Sequence, residues 1–403
     1  MSRLETLYSS NYSKSESSTM NFSSQNSRRR IASNLLLHRG KLLRNPVVGV
    51  NSDGVIESVD FVEESRIDHS THTEFYNGIM LAGFVNVHSH LELSYLRGAI
   101  ESGSGFGGFA SQIGRVRNNF TDEQRYSAIA QADSQMARGG VAAVGDIANG
   151  ESAFTTKESS EIKYRTFAEL FGLNTTDSSA VDGLLEHPNS SLTPHSTYSL
   201  NDKIFREIAQ NGDAPLSIHF MESPSEMELY QGGGSLHEWY SRVGFECDFL
   251  HYGSPARRIV ESVPKDRSVI LVHNCCVTQE DIDLIMGHFR SEVYWALCPR
   301  SNRYISNLKP PLELLRRNNL NICIGTDSLA SNWSLSILDE LREMQSAPLG
   351  ERLDWATRIG AQALQMPTLG EVEVGRTPRI NILSGVDYRS MQLTEKSKIT
   401  RII

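Results

Sequence analysis

Two histidines stand one residue apart at the end of an apolar run, Phe84-Val85-Asn86-Val87-His88-Ser89-His90. Alternate residues of a strand face the same side. His88 and His90 are therefore expected to project together from the end of a buried strand, where two neutral imidazoles can share one metal ion. The pair alone reads equally well as two surface histidines. Other apolar runs end in the same way. His219 and Glu222 close Leu216-Ser217-Ile218-His219-Phe220-Met221-Glu222, His273 closes Val269-Ile270-Leu271-Val272-His273, and Asp327 follows Ile322-Cys323-Ile324-Gly325-Thr326.

Three histidines and one aspartate make a nitrogen–oxygen set suited to Zn²⁺ or Fe²⁺. An open position on such an ion holds a water that loses its proton near neutral pH. A carboxylate outside the ligand set can then move protons to a substrate, and Glu222 has that placement. A further imidazole, His273, can hold the attacking water or polarise the substrate. Each residue also has a plain structural alternative. His219 and His273 can be hydrogen-bonded core histidines, Asp327 a turn or cap aspartate, and Glu222 a cap on the helix that Pro224 opens. The ordered set, all at run ends, favours chemistry.

Eight β-rich runs position these residues, at 83–90, 142–147, 164–170, 191–196, 216–222, 269–274, 293–299 and 321–328. Helical spacing fills most of the gaps, at 122–138, 202–209, 279–289 and 311–318. Eight strand–helix units predict an α/β chain with a (β/α)8 TIM barrel, whose functional residues gather at the C-terminal strand ends. A doubly wound sheet is disfavoured, since no Gly-rich phosphate loop follows a strand. Short alternating segments flank the barrel: 34–38, 47–50 and 55–59, with Asp53-Gly54 as a hairpin turn, and then 370–375 and 379–383. Residues 31–80 and 368–403 are therefore expected to form a small β-sandwich around a barrel spanning 81–367. Residues 1–30, rich in Ser, Asn and Arg, are expected to be a disordered extension, with Met20 as an alternative start.

The chain has 403 residues, 39% apolar and 22% charged, and a net charge of -9. That balance suits a soluble globular protein and argues against a nucleic-acid backbone or an anionic membrane as its main partner. Its five cysteines are odd in number and form no C-x-x-C pair, which points to a reducing cytosol without a disulfide framework. No apolar run has the length of a membrane span or the form of a signal peptide. The expected partners are a small-molecule substrate and a second copy of the chain as a homodimer, with no nucleic acid and no membrane, in the cytoplasm.

A set of motifs makes a resemblance specific: residues 83–90, Pro194-His195-Ser196-Thr197-Tyr198-Ser199, His219-Phe220-Met221-Glu222, His273-Asn274, Cys298-Pro299-Arg300-Ser301-Asn302, Gly325-Thr326-Asp327-Ser328-Leu329-Ala330-Ser331-Asn332, and 369–375. Running from about residue 31 to 385, the chain resembles the amidohydrolase superfamily in its cytosine-deaminase and chlorohydrolase-like branch. The resemblance implies His88, His90, His219 and Asp327 as metal ligands, and Glu222 as the proton shuttle. It also implies His273 as the polarising residue, Asp327 as acceptor of the attacking water's proton, and His195 as a residue facing the substrate. Binuclear members use a bridging carbamylated lysine. Neither the third nor the fourth run ends in Lys, so one ion is expected, Zn²⁺ ahead of Fe²⁺. Two departures, Ala82 before Gly83 and Pro378-Arg379 after Gly375-Arg376-Thr377, lie in or beside the small domain.

The implied reaction adds water to an electron-poor ring carbon and expels ammonia. Glu101 resembles a ribose contact of nucleoside deaminases, with a solvated loop glutamate as the alternative. Arg300 and Asn302 are candidate substrate contacts or turn formers. Residues 103–108, Gly-rich but without a following Lys-Ser/Thr pair, read as a flap over the site. Cys275 and Cys276 read as packing residues. His90-Leu91-Glu92-Leu93-Ser94 with 298–302 most resembles proteins of aminodeoxyfutalosine deamination, leaving adenosine-like thioethers, guanine and cytosine open. The same residues serve dechlorinases and cyclic amide hydrolases. A metal-free scaffold on this fold is the remaining alternative, disfavoured because every ligand position and Glu222 are intact.

Overall fold

Alternating and continuous apolar segments divide the chain into two kinds of sheet. The computed structural model describes residues 29–62 and 72–403. Five strands come first: β1 (Arg29–His38), β2 (Lys41–Arg44), β3 (Pro46–Val50), β4 (Ile56–Phe61) and β5 (Glu74–Ala82). Eight follow: β6 (Phe84–Ser89), β7 (Val141–Ala148), β8 (Lys163–Leu170), β9 (Ser190–Pro194), β10 (Leu216–Phe220), β11 (Val269–His273), β12 (Val293–Leu297) and β13 (Asn321–Ile324). Near the C-terminus lie β14 (Ile380–Ser384) and β15 (Lys398–Arg401).

Strands β6 to β9 form one parallel four-stranded sheet and β10 to β13 another. Each of the eight expected runs is a strand. Their continuous apolar character follows from burial on both faces, as in other parallel sheets: every residue of β6, β7, β10, β11 and β12 is buried. Single parallel bridges join the ends of the two sheets, pairing Ser196 with His219 and Ser89 with Asp327. The fold is α/β, with one continuous apolar core around these strands.

Capping residues delimit the intervening helices. Thr121 and Gln124 form a capping box on Asp122–Arg138, Thr278 and Asp281 another on Gln279–His288, and Asn201 caps Asp202–Gln210. The expected helix at 311–318 is shorter, Leu312–Arg317. The Gly-rich segment read as a flap opens a helix, Gly105–Val116, instead of remaining a loop.

Both chain ends join in one seven-stranded sheet, ordered β15-β14-β5-β1-β3-β4 with β2 paired to β1. Hydrogen bonding thus ties residues from both ends of the chain into one sheet. Asp53-Gly54 lies in the connection between the antiparallel strands β3 and β4, with Gly54 in the left-handed region at φ +78°. Ile31, Val48, Ile56, Met80, Ile380 and Ile382 give this sheet its own small core. Residues 370–375 are not a strand. Their end is tied to β4 by Gly375 N–H donating to the Ile56 carbonyl (2.8 Å), while Arg376 pairs with Glu371 and Glu373. Most of the expected N-terminal extension lies outside the described residues. Its last two, Arg29 and Arg30, already belong to β1, where Arg29 pairs with Glu74 at 2.7 Å.

Strand β6 departs from regularity where it carries the histidines. Its register against β7 shifts between Asn86 and Ser89, so a bulge bends the strand there. Gly145 permits it, because a Cβ at that position would lie 2.4 Å from the Val87 carbonyl oxygen. Gly145→Ala is therefore expected to destabilise the protein by about 1–3 kcal/mol through overpacking. Denaturant unfolding checks this, and an unchanged midpoint would show that β6 yields without cost.

Candidate active site

The reactive side chains sit where strands stop. Three exits use residues in the left-handed region: Met221 (φ +48°) after β10, His273 and Asn274 (+80° and +59°) at β11, and Asp327 (+56°) beyond β13. Such conformations are disfavoured for non-glycine residues and persist where surrounding contacts over-determine them. Asn274 is held by its side-chain amide, which donates to the carbonyls of Leu271 (2.8 Å) and Ala296 (3.1 Å). The amides of Thr326 and Asp327 both donate to the His88 carbonyl at 3.0 Å.

These turns bring the predicted residues together. The Nε2 atoms of His88 and His90 lie 3.3 Å apart, and His90 Nε2 lies 3.5 Å from Asp327 Oδ1. The His88 ring is 4.8 Å from that of His219, centre to centre. Ligand atoms of His88, His90 and Asp327 fall within one 4.8 Å group, as do those of His88, His219 and His273. His195 stacks on His219 at 4.4 Å. Glu222 Oε1 lies 3.8 Å from His273 Nε2. All of these are buried except His195, which is partly exposed.

Hydrogen bonds distinguish the imidazoles. His219 Nδ1 lies 2.8 Å from the His195 carbonyl oxygen and donates to it, leaving the Nε2 lone pair free. At His273 the arrangement is reversed: Asn302 Nδ2 donates to Nδ1 at 3.0 Å, so Nε2 carries the proton. The first tautomer suits a metal ligand and the second a hydrogen-bond donor. Ser301 Oγ (2.6 Å) and Ser331 Oγ (2.9 Å) both donate to Asp327 Oδ2, turning Oδ1 toward His90.

Burial sets the charges. It drives His88 well below the ordinary histidine range, helped by His219, His90 and His273. Burial takes His90 to about 3 despite Asp327, and takes His195 and His219 each to about 4. Burial also pushes Asp327 upward, but His90, His273 and the Ser301 hydroxyl more than offset it, and the carboxyl ends below its usual range. Burial raises Glu222 to about 7, with His219 opposing. Neutral imidazoles facing one another around an ionised carboxylate fit a divalent cation.

The other predicted contacts are placed differently. Glu101 is exposed, and its backbone amide donates to Gln112 Oε1 at 2.9 Å, away from the cluster. Arg300 donates from Nε to Asn332 Oδ1 (3.1 Å), approaches Asp339 Oδ2 (3.7 Å) and lies over the Trp333 ring. Asn302 touches His273. Four residues without a predicted role stand out. Ser301 and Ser331 lay inside the quoted motifs, but a hydroxyl beside a strand end has no signature of its own. Glu169, which nearly ends β8, comes within 3.6 Å of His219 Nδ1; its place at a run end was the available signal. Glu226 lies four residues beyond Glu222, in the helix Pro224–Tyr230.

The amidohydrolase family model matches residues 79–401. The chain belongs to the amidohydrolase family. It is a hydrolase acting on carbon–nitrogen bonds. An adenosine deaminase of Helicobacter pylori is 29% identical over 335 residues, covering 76% of this chain and 79% of the relative. The structure of Helicobacter pylori aminofutalosine deaminase in complex with methylthio-coformycin superposes with a TM-score of 0.79 at 23% identity, covering 93% of this chain and all of that one. Atrazine chlorohydrolase from Arthrobacter aurescens, complexed with zinc, gives a TM-score of 0.70 at 18% identity over 91% and 92% of the two chains. No helix among the described residues is long and apolar enough to cross a membrane.

A buried carboxyl behind the site makes stability depend on pH. Glu340 accepts from Asn332 Nδ2 (2.7 Å) and the Arg300 amide (3.0 Å), and burial raises it from 4.5 to about 8. Between those values the folded state holds a proton that the unfolded state releases, so its contribution falls as pH rises. Glu340→Gln is expected to flatten the decline of Tm across that window. An unaltered slope in calorimetry would contradict the assignment.

Proposed function

We propose that this protein is a metal-dependent deaminase of an aminated purine-type nucleoside or base, with an aminodeoxyfutalosine-like nucleoside as the favoured substrate. In this reading the eight strands β6 to β13 close into one barrel, an arrangement supported by the Ser196–His219 and Ser89–Asp327 bridges. One divalent ion, Zn²⁺ ahead of Fe²⁺, would be held by His88, His90, His219 and Asp327. The observation that carries the reading is the buried pair of Glu222 and His273, 3.8 Å apart beside that ligand set. The relatives supply the reaction class: an adenosine deaminase by sequence and an aminofutalosine deaminase by fold.

When bound, the ion would supply a water acidic enough to attack at neutral pH. Asp327 takes a proton from the attacking water. Glu222, whose carboxyl is raised to about 7, gives its proton to the ring nitrogen beside the attacked carbon. His273, protonated at Nε2, donates toward the oxygen added to that carbon. Asp327 passes its proton to the amino group, and ammonia leaves. The new hydroxyl returns a proton to Glu222 as the carbonyl forms, restoring both carboxyls. His195 faces the substrate across the stacked His219 ring. Asn302 acts through His273, and Arg300 shapes the loop after β13. Glu101 would reach a ribose only if the segment before the helix Gly105–Val116 turned inward.

The likeness to atrazine chlorohydrolase favours a second reading, in which the same residues expel chloride. Zinc-loaded protein incubated with adenosine, 5′-methylthioadenosine and aminodeoxyfutalosine distinguishes the two by the product released. Ammonia is expected, and Glu222→Gln is expected to lower kcat by about 10²–10⁴-fold, the usual contribution of a general acid–base group. Release of chloride from chlorinated analogues, with no ammonia from any amine and zinc demonstrably bound, would overturn the deaminase reading.

A further inference from the structure

The exit from β10 is strained and must be held. Met221 occupies the left-handed region, and the next residue is Glu222. The Glu222 amide donates to Glu226 Oε2 at 3.2 Å, and the Met221 carbonyl accepts from Cys276 N–H at 2.9 Å. The other oxygen of Glu226 accepts the hydroxyl of Thr197. Thr197 lies two residues beyond His195. The Thr197 carbonyl accepts from Arg258 Nη1 at 2.6 Å and from the Tyr230 hydroxyl at 2.5 Å. The His195 carbonyl accepts both the backbone N–H and the Nδ1–H of His219, at 2.9 and 2.8 Å. Segment 195–197 is thus tied to His219 on one side and, through Glu226, to Glu222 on the other.

Glu226 is only 1% exposed, and among the described residues no cation forms an ion pair with it. A buried carboxyl without a cation is unfavourable, and an apolar side chain would fill the space at lower cost. What the carboxyl provides is one oxygen for the Glu222 amide and one for the Thr197 hydroxyl. We propose that Glu226 is a positioning residue: it clamps the Met221–Glu222 turn to the His195–Thr197 segment and so fixes the direction in which Glu222 presents its proton. The inference rests on the deaminase reading in taking Glu222 as the proton carrier. Among the described residues, the hydrogen bonds of the Glu226 carboxyl run to Thr197 and the Glu222 amide and to none of the histidines.

The test compares zinc-saturated wild type with Glu226→Ala, Glu226→Gln and Thr197→Val. Glu226→Ala is expected to lower kcat by about 10²-fold, the cost of roughly 1 Å of misplacement at a reacting group, while KM stays nearly constant. Glu226→Gln retains an oxygen for the Glu222 amide, and Thr197 can turn its hydroxyl to accept from the new amide; most of kcat should return. Thr197→Val is expected to lower kcat in the same direction by less, and it serves if the alanine variant does not fold. Wild-type kcat in Glu226→Ala and Thr197→Val, or Gln as impaired as Ala, would overturn the proposal. So would a loss of zinc and substrate affinity together, which marks a merely structural role. Hydrogen exchange at the Met221–Glu222 amides gives an answer independent of turnover. Faster exchange in the alanine variant is expected, and unchanged protection defeats the clamp even if wild type releases no ammonia and the deaminase reading itself falls.

Discussion

One carbonyl oxygen, that of His88, accepts the backbone amides of both Thr326 and Asp327. This contact joins the first and last strands of the eight, and it does so at the residue that opens the histidine pair. The approach is close enough that Gly325 tolerates no side chain: a Cβ there would lie 2.8 Å from both His88 Cβ and Cys298 Sγ. Gly145 gives the same freedom on the other side of β6. The bulge at Val87–His88, the left-handed turn at Asp327 and the meeting of His90 with the aspartate all depend on this packing. His90 and Asp327 are thus fixed at the seam of the two sheets.

Electrostatics follow from the same burial. The histidines are held neutral because desolvation penalises their cations and because each would repel the next. Asp327 stays ionised through His90, His273 and the Ser301 hydroxyl, which together outweigh its burial. Glu222, Glu226 and Glu340 are all pushed upward, to about 7 for the first and about 8 for the other two. Three raised carboxyls within one region lower stability at neutral pH, a cost characteristic of sites assembled for proton transfer.

Much of this was legible beforehand. The eight strands announce themselves because burial on both faces demands continuous apolar runs, and His88, His90, His219, His273 and Asp327 announce themselves by ending those runs. Other features were not legible. The apolar run of β6 conceals its bulge, since nothing local marks Gly145 as opposing Val87. Alternation at 370–375 suggested a strand, yet Arg376 draws Glu371 and Glu373 into ion pairs and only Val372 is taken into the small core. Arg300 has a substrate-binding residue's chemistry, but its guanidinium is engaged by Asn332, Asp339 and Trp333. Roles that run through a second side chain, such as those of Asn302 and Ser301, depend on distances that sequence spacing does not encode.

The sheet shared by both chain ends bears on how the protein comes to be folded. Strand β5 pairs with β1 on one side and with β14 on the other, matching Leu81 to Asn381, far apart in the chain. During synthesis, β5 therefore emerges with one edge bare and keeps it until β14 has followed. Exposed strand edges invite pairing with other chains, and contacts so distant in sequence form slowly. Yet the same β5 leads through Gly83, whose amide is bonded to the carbonyls of Pro378 and Arg379, directly into the histidine strand. Pro378 and Arg379 thus complete the support of the first histidine strand, and a chain cut before them would lack it.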